Sequence, residues 1–258
     1  MNPGAWIEQD RGRTKWRPAA DDILNPAIFL GIETSGTLAG LALAGSGTTI
    51  AELVEPSVPG QNEVLMPLLE RLMKGAGITA RDLSGIGVDI GPGMFTSLRV
   101  GLSTAKGLAV AHRLPVVGVG TLWSLARTAQ ATMDRVLSVM DARKHEVYAA
   151  LYVQGRPAIP PAVFSPEELV SAVRKELTGR ARLTVAGGGA GICADLFAAA
   201  GTELELTGIE NPSPGVVALE AAERIAKGLA DDVATIEPLY LRRTDAELTR
   251  ERKLKPNG

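Results

Sequence analysis

The sequence predicts an α/β protein of two lobes, in which a β-β-β-α-β-α-β-α pattern occurs twice. Apolar runs rich in branched residues alternate with stretches of helical periodicity through residues 27–121, and this alternation sets the first copy of the pattern. A weaker version of the same order follows through residues 136–229. The first three strands have connections short enough for antiparallel hairpins. The repeat is one of pattern and not of residues. It predicts a duplicated fold with a cleft between the lobes and a reduced second lobe.

Each element of the first copy has its own local signal. Bounded apolar runs predict strands at residues 27–33, 38–43, 49–54, 86–90 and 115–119. Apolar residues three and four apart predict a helix at residues 62–76, with Asn62 as its cap, Pro67 as a kink, and Gly75 and Gly77 at its end. In the second copy the same signals predict strands at 136–140, 147–153, 183–186 and 203–206, and helices at 166–177, 191–200 and 214–229.

This order of elements predicts how the chain divides into domains. Residues 27–112 should form the first lobe, completed by the helix at 214–229, and residues 113–213 should form the second. Residues 1–26 are polar and are predicted to form an extension outside the fold, with a composition typical of disordered segments. Residues 238–258 form a basic tail, and we interpret it as solvated, with a contact to RNA as the alternative.

A glycine turn between a strand and a helix is the strongest candidate for a binding site. Asp89 lies near the end of an apolar run, Gly91-Pro92-Gly93 follows, and a helix then begins near Thr96 or Ser97, either of which can cap it. Glycines allow close approach of the backbone, and the first N–H groups of a helix attract anions. A simple β-to-α turn remains the other interpretation, and no Gly-Lys-Ser/Thr follows to make a Walker A loop.

The helix after this turn has a face of small side chains. Residues four apart share one face, and a nearly flat face lets another backbone approach closely. This face could pack inside its own lobe or against a second subunit, and the sequence favours neither. For the second case, the predicted interface combines small residues of this helix with leucines of the helix at 62–76: Ser97, Gly101, Thr104, Ala105, Leu65 and Leu69.

Composition excludes several classes of protein. The formal net charge is −2, which argues against a protein that grips nucleic acid over its whole surface. A single cysteine, Cys193, excludes an internal disulfide and a Cys-Cys metal clip. The two histidines, His112 and His145, lack the spacing of paired metal ligands, so we nominate no catalytic residue and no metal site. No apolar run is long enough to span a membrane, and we expect a cytoplasmic protein.

Several sequence blocks, in order, resemble the TsaB (YeaZ) family over most of residues 28–245. The blocks are ETS at 33–35, LMP at 65–67, GPGMFTSLRVG at 91–101, PVVGV at 115–119, DAR and EVY between 141 and 148, and PLYLR at 238–242. The glycine block is the most specific of them. The family has the actin/Hsp70/sugar-kinase-like (ribonuclease-H-like) fold, and its duplicated pattern is the one predicted above. Glu33 stands where the family usually has Asp.

The resemblance implies a function in tRNA modification. Members of the family are non-catalytic partners in threonylcarbamoyladenosine formation at position 37. The catalytic sister family, TsaD, shares the glycine block and continues into a His-x-x-x-His metal site. Here Thr121 and Leu125 stand at the two histidine positions, and neither side chain suits that role. The resemblance therefore implies a scaffold that binds a TsaD homologue and further subunits, touches tRNA only indirectly, forms a homodimer in isolation and has no role at a membrane.

Two alternatives remain open at this point. A free-standing ATPase or kinase of the same fold would hold phosphates on glycine turns and a metal near an acid. The residues of such a site, which we interpret as degenerate, are Glu33, Ser35, Asp89, Gly91, Gly93 and Arg99; Arg99 could also cross the interface. We expect no cofactor beyond weak or vestigial nucleotide binding. The second alternative is a tRNA-binding module that uses the basic tail.

Overall fold

Two mixed β-sheets with helices packed on them form the two lobes of the protein. The computed structural model describes residues 15–16, 27–56, 64–129, 134–177 and 182–242. In chain order, the first copy of the pattern contains β1 (Lys15–Trp16), β2 (Ile28–Glu33), β3 (Leu38–Gly45), β4 (Thr48–Pro56), α1 (Leu65–Ala76), β5 (Leu83–Gly91), α2 (Phe95–His112), β6 (Val116–Gly120) and α3 (Thr121–Ala129). The second copy contains β7 (Arg135–Arg143), β8 (Glu146–Val153), β9 (Arg156–Phe164), α4 (Pro166–Glu176), β10 (Leu183–Ala186), α5 (Ala190–Ala199), β11 (Leu204–Leu206) and α6 (Pro214–Ala226).

The two sheets share one topology, which confirms the predicted duplication. Their strand orders are β1-β4-β3-β2-β5-β6 and β11-β10-β7-β8-β9. Apart from β1, each order places the third, second, first, fourth and fifth strands of its copy side by side. In both copies the first three strands pair antiparallel, the fourth pairs in parallel with the first, and the fifth pairs in parallel with the fourth.

The expectation of a reduced second lobe is wrong for its strands. The strand that the prediction lacked is β9, which carries Pro157, Pro160 and Pro161. Proline cannot donate a ladder hydrogen bond, so these residues resembled a loop, but an edge strand tolerates proline where its N–H positions face away from the sheet. Strand β9 is such an edge, because it pairs with β8 on one side only.

Helices α3 and α6 each pack on the other lobe from the one that contains the preceding strand. Helix α3 follows β6 but packs mainly on β7 and β8, whereas α6 packs on β2, β3, β5 and β6. The α3 contact includes a hydrogen bond of 2.8 Å from Ser138 Oγ to the carbonyl oxygen of Leu122. Strand β6 pairs with β5 in the first sheet, so the predicted domain boundary after residue 112 is wrong. The polypeptide passes between the lobes after Gly120.

Helix α6 lies directly on the first sheet because two strands offer glycine beneath it. Gly31 and Gly87 are cross-strand partners in β2 and β5. A Cβ atom on Gly31 would overlap the carbonyl oxygen of Pro214 and lie 2.6 Å from the amide nitrogen of Ala218. A Cβ on Gly87 would overlap the carbonyl oxygen of Val217. The glycine pair therefore permits close approach of helix and sheet backbones.

Helix ends in the first lobe differ in detail from the sequence expectation. Helix α1 begins at Leu65 after Val64, which forms no side-chain cap, and Asn62 lies outside the described residues. Pro67 therefore falls in the first helical turn, where its missing N–H breaks no hydrogen bond, so the predicted kink is wrong. The left-handed Gly77 ends α1 as predicted, whereas Gly75 lies within the helix. Met94 precedes the first residue of α2 without a side-chain cap, so the capping roles expected for Thr96 or Ser97 are wrong.

Two residues of the N-terminal segment pair with the first lobe. Lys15 and Trp16 pair with Glu52 and Ala51 of β4, which departs from the prediction that residues 1–26 lie outside the fold. The rest of that segment, and residues 243–258 of the basic tail, lie outside the described residues. Within the described ranges, no helix is long and apolar enough to cross a membrane.

Candidate functional site

Two buried carboxyl groups lie side by side at the carboxyl ends of β2 and β5. Ile32 and Val88 are register partners in these parallel strands, so the next residues, Glu33 and Asp89, meet at the same edge of the sheet. Their exposed fractions are 1% and 0%. This edge is where open α/β sheets usually place their ligands, and the structure thus brings together two of the residues that the sequence singled out.

Local hydrogen bonds hold both carboxyl groups. Glu33 Oε1 accepts from the backbone N–H of Ser35 at 2.7 Å and from the Ser35 hydroxyl. Asp89 Oδ1 accepts from the N–H of Gly91 at 2.8 Å and from the Thr121 hydroxyl. Asp89 Oδ2 is buried without a hydrogen-bond partner among the described residues. An unpaired buried oxygen favours the protonated carboxyl over the carboxylate.

Burial shifts the acidity of both groups in the same direction. Loss of solvation raises the pKa of Glu33 to about 7, against the opposing effect of the Ser35 hydrogen bonds. Burial also raises the pKa of Asp89, and the neighbouring charge of Glu33 adds to the shift. Like charges at close range cannot both ionise without a large cost. The pair therefore cannot carry two full negative charges near pH 7, and it becomes neutral as the pH falls below 7.

The glycine turn packs against the loop of the first hairpin, so several donors that could bind phosphate are already engaged. The N–H of Met94 donates to the carbonyl oxygen of Ser35 at 2.8 Å. A Cβ on Gly93 would lie 2.8 Å from Ser35 Cα. The N–H groups of Ser35 and Gly91 serve the carboxyl groups. A working phosphate loop would point these donors at its ligand, and here the protein itself uses them.

A cleft of about 330 Å³ remains between the lobes above these loops. Its lining comes from both lobes and includes Thr37, Met94, Asp141, Arg143, Gly188 and Asn211. The glycines at 187–189 form the strand-to-helix turn before α5, with their N–H groups bonded to the carbonyl oxygens of Ile209, Glu210 and Val139. Asn211 reaches across to the Gly36 loop, and a Cβ atom on Gly36 would overlap the side-chain oxygen of Asn211. Asn211 from one lobe and the Gly36 loop from the other therefore approach each other and narrow the cleft.

The two residues at the histidine positions of the sister family have structural contacts. Thr121 donates its hydroxyl hydrogen to Asp89 and is fully buried at the start of α3. Leu125 is fully buried, one turn further along. No group of three histidine, cysteine, aspartate or glutamate side chains that could hold a metal ion occurs within the described residues.

The predicted interface face of α2 is turned inward. Gly101 and Ala105 are buried, and a Cβ on Gly101 would overlap the hydroxyl oxygen of Thr34 at the end of β2. Leu65 and Leu69 belong to the core of the first lobe. The interface prediction is therefore wrong for these four residues, since they pack within their own lobe; the remaining two, Ser97 and Thr104, are partly buried.

Different residues of α1 and α2 face outward. Met66 is 58% exposed and Val110 is 71% exposed. Gly75 and Gly107 are exposed helical residues with open space where a Cβ would point. Sequence spacing alone does not distinguish a helix face that is turned outward from one that is turned inward.

Arg99 connects the glycine turn to the C-terminal segment. Its guanidinium carbon lies 3.9 Å from the centre of the Phe95 ring, and its Nε donates to the Tyr240 hydroxyl at 2.9 Å. The N–H of Leu239 donates to the carbonyl oxygen of Ile90 at 2.7 Å. Phe95 and Tyr240 were not predicted as site residues. Aromatic residues make up only 4% of the chain, so the position of Phe95 directly after the glycine turn was the signal that could have marked it as a site residue.

The duplicated fold, with glycine loops at the carboxyl ends of its strands, defines a two-lobed protein of the actin/Hsp70/sugar-kinase-like class. The chain matches, over residues 60–249, the family model described as TsaD, tRNA N6-adenosine threonylcarbamoyltransferase. It is 30% identical over 221 residues to the tRNA threonylcarbamoyladenosine biosynthesis protein TsaB of Escherichia coli, covering 83% of this chain and 94% of that protein. The chain belongs to the TsaB (YeaZ) family.

Further relatives agree with this assignment. The TsaB protein of Haemophilus influenzae is 28% identical over 236 residues, covering 83% of this chain and 93% of the relative. The solved structure of YeaZ from Pseudomonas aeruginosa superimposes with a TM-score of 0.68 at 26% identity, and covers 83% of this chain and all of that one. The resemblance found in the sequence is thereby confirmed, together with its fold.

Proposed function

We propose that this chain serves tRNA threonylcarbamoyladenosine biosynthesis as a non-catalytic subunit that binds and stabilises a TsaD homologue. Relatives that it covers almost completely carry that biosynthetic name. The observation that carries the non-catalytic part is the engagement of the loop donors: the N–H groups of Ser35, Gly91 and Met94 all bond within the protein. A chain whose anion-binding groups are satisfied internally has little left with which to position a phosphate.

The raised pKa values of the carboxyl pair support the same conclusion. A carboxylate that organises a divalent metal must be ionised. Burial raises the pKa of Glu33 to about 7 and raises that of Asp89 as well. The hydroxyl of Thr121 occupies one oxygen of Asp89. This arrangement fits a structural role, in which the pair fixes the glycine turn, better than a role in phosphoryl transfer.

The outer faces of α1 and α2 are the surface that we assign to the partner. Glycine inside a helix costs about 1 kcal/mol relative to alanine, and neither Gly75 nor Gly107 has an intramolecular neighbour that would require it. The exposed Met66 and Val110 lie on the same two helices. On α2, Gly107 lies three residues from the exposed Val110 and thus on the same face, which would let a partner helix approach closely, in a homodimer or with TsaD.

Co-purification with the TsaD homologue of the same cell, followed by a modification assay, tests this proposal. Gly107→Arg should weaken co-purification at least tenfold and lower tRNA modification, while the melting temperature stays close to that of the parent chain, because the site has open space. Gly191→Arg is the matched control: Gly191 is also an exposed helical glycine with open space, but it lies on α5.

Two results would contradict the proposal. If Gly107→Arg and Gly191→Arg bind the partner equally well, the assigned surface is wrong. If calorimetric titration finds tight Mg-ATP binding, and the chain alone hydrolyses the nucleotide, the non-catalytic role is wrong and the enzyme alternative replaces it.

A further inference from the structure

A second recess, next to the inter-lobe cleft, has features that the proposed scaffold role does not use. It has a volume of about 300 Å³, which is at the lower end of the range for small-ligand sites. It lies between the glycine turn, the β7–β8 hairpin and the C-terminal segment. Its lining includes three aromatic and three cationic side chains: Phe95, Tyr148, Tyr240, Arg143, Lys144 and Arg242.

Two of the aromatic rings form an exposed platform. Phe95 and Tyr240 stack with their centroids 5.2 Å apart and their planes 29° apart. They are 41% and 42% exposed, so much of their surface remains in water. Arg99 lies against Phe95 and bonds to Tyr240, which fixes the orientation of the pair. Rigid, partly exposed rings beside a guanidinium are a surface on which nucleic acid bases stack.

The hairpin supplies cations at the edge of this platform. Arg143, Lys144 and His145 all have positive φ angles, between 54° and 63°, and the turn directs two basic residues toward the recess. The Arg143 side chain is 81% exposed and contacts Asp141 through one nitrogen at 3.2 Å. Because a guanidinium has five N–H donors, most of its donors can serve a phosphate.

Arg242 holds the far wall of the recess in place. It pairs with Glu146 and donates from Nη1 to the carbonyl oxygen of Ala142 at 2.9 Å. Both partners belong to the β7–β8 hairpin, whereas Tyr240 is bonded to α2 of the first lobe. The segment 238–242 therefore spans the two lobes and presents its tyrosine to the recess from a fixed backbone.

We propose that this recess binds a nucleotide unit, with an unpaired base stacked against Phe95 and Tyr240 and a phosphate held by Arg143 and Lys144. The unit could come from a free nucleotide or from single-stranded RNA; the RNA source rests on the proposed function in tRNA modification. The recess does not require the loop donors of the cleft, which the protein itself engages. The site shares Gly93 with the glycine turn that the sequence singled out, but it would hold its phosphate on the hairpin cations and not on the loop N–H groups.

Fluorescence anisotropy with a labelled single-stranded RNA of about eight nucleotides tests the site on the full chain without any partner. Phe95→Leu should weaken binding about fivefold to a hundredfold, because stacking contributes on that scale for each base. Arg143→Glu should weaken binding at least tenfold and reduce the salt dependence by about one phosphate contact. Competition with unlabelled adenosine monophosphate and with unlabelled RNA distinguishes the two sources. If both displace the labelled RNA at similar concentrations, the ligand is a free nucleotide; if only the unlabelled RNA displaces it, the ligand is RNA.

Matched controls lie outside the recess. Arg156→Glu makes the same change of charge on the neighbouring strand β9, and Ile192→Ala removes exposed apolar surface from α5. Both should bind within about twofold of the parent chain. If neither probe binds the parent chain, or if the recess variants bind as well as these controls, the proposal is overturned. Co-purification of the same variants with the TsaD homologue separates this outcome from a failure of the scaffold proposal, because partner binding should survive in all four.

Discussion

Gly31→Ala should lower the free energy of unfolding by about 3–5 kcal/mol, the largest effect we expect from adding a single methyl group. Gly31 has no Cβ to hold α6 away from β2, and its cross-strand partner Gly87 continues the same gap. An added methyl would meet backbone atoms of Pro214 and Ala218, which cannot rotate aside as a side chain can. Helix α6 would have to lift from the sheet and lose burial along its length. Urea unfolding followed by circular dichroism measures the change.

Gly107→Ala is the control for this experiment. It adds the same methyl group to a helix with open space around the site, so stability should rise by up to about 1 kcal/mol, as helix propensity predicts. Equal unfolding midpoints for the parent chain and Gly31→Ala would show that α6 does not depend on the glycine pair.

Glu33→Gln should make the protein more stable than the parent chain above pH 7, by about 3 kcal/mol. The pKa of Glu33 is raised from 4.5 to about 7 in the folded state because burial disfavours the charge. The folded state therefore binds more protons than the unfolded state between these values. The stabilising contribution of the protonated group is complete below pH 4.5 and is lost as the pH rises toward 7. Glutamine stays neutral and can still accept hydrogen bonds from Ser35.

Urea midpoints measured at pH 5 and pH 8 check this sign. The parent chain should lose stability between these two values relative to Glu33→Gln, and the difference between the chains should be small at the lower pH. Glu167→Gln, at an exposed position on α4, should leave the pH dependence unchanged. A parent chain that grows more stable than Glu33→Gln toward pH 8 would mean that Glu33 is ionised at little cost.

The sequence predicted most of the elements because their signals are local. The apolar runs of β2 to β8 and the glycine turn at residues 91–93 each depend on a few consecutive residues. Strand β9 was missed because its prolines resemble a loop unless its place at the sheet edge is known. Glu33 and Asp89 were both selected from the ends of apolar runs, and the parallel register of β2 and β5 brings them together.

What could not be predicted depends on which surfaces meet. A small face on α2 has the same spacing whether a sheet or another protein covers it, and only the fold shows that Gly101 packs on Thr34. The contact of Arg99 with Tyr240 joins residues 141 positions apart. No spacing rule links such residues, because their proximity comes from the path of the whole chain.

The exchange of α3 and α6 between the lobes has a consequence for synthesis on the ribosome. The first sheet is complete once β6 has emerged, yet the glycine face of β2 and β5 stays uncovered until residues 214–226 follow. The first lobe therefore cannot reach its native state until α6 has emerged, whereas α3 and all strands of the second sheet precede α6 in the chain. We expect the second lobe to acquire protease resistance first, and the first lobe only after release of α6. Stalled chains that end before α6 and whose first lobe already resists proteolysis would argue against this dependence.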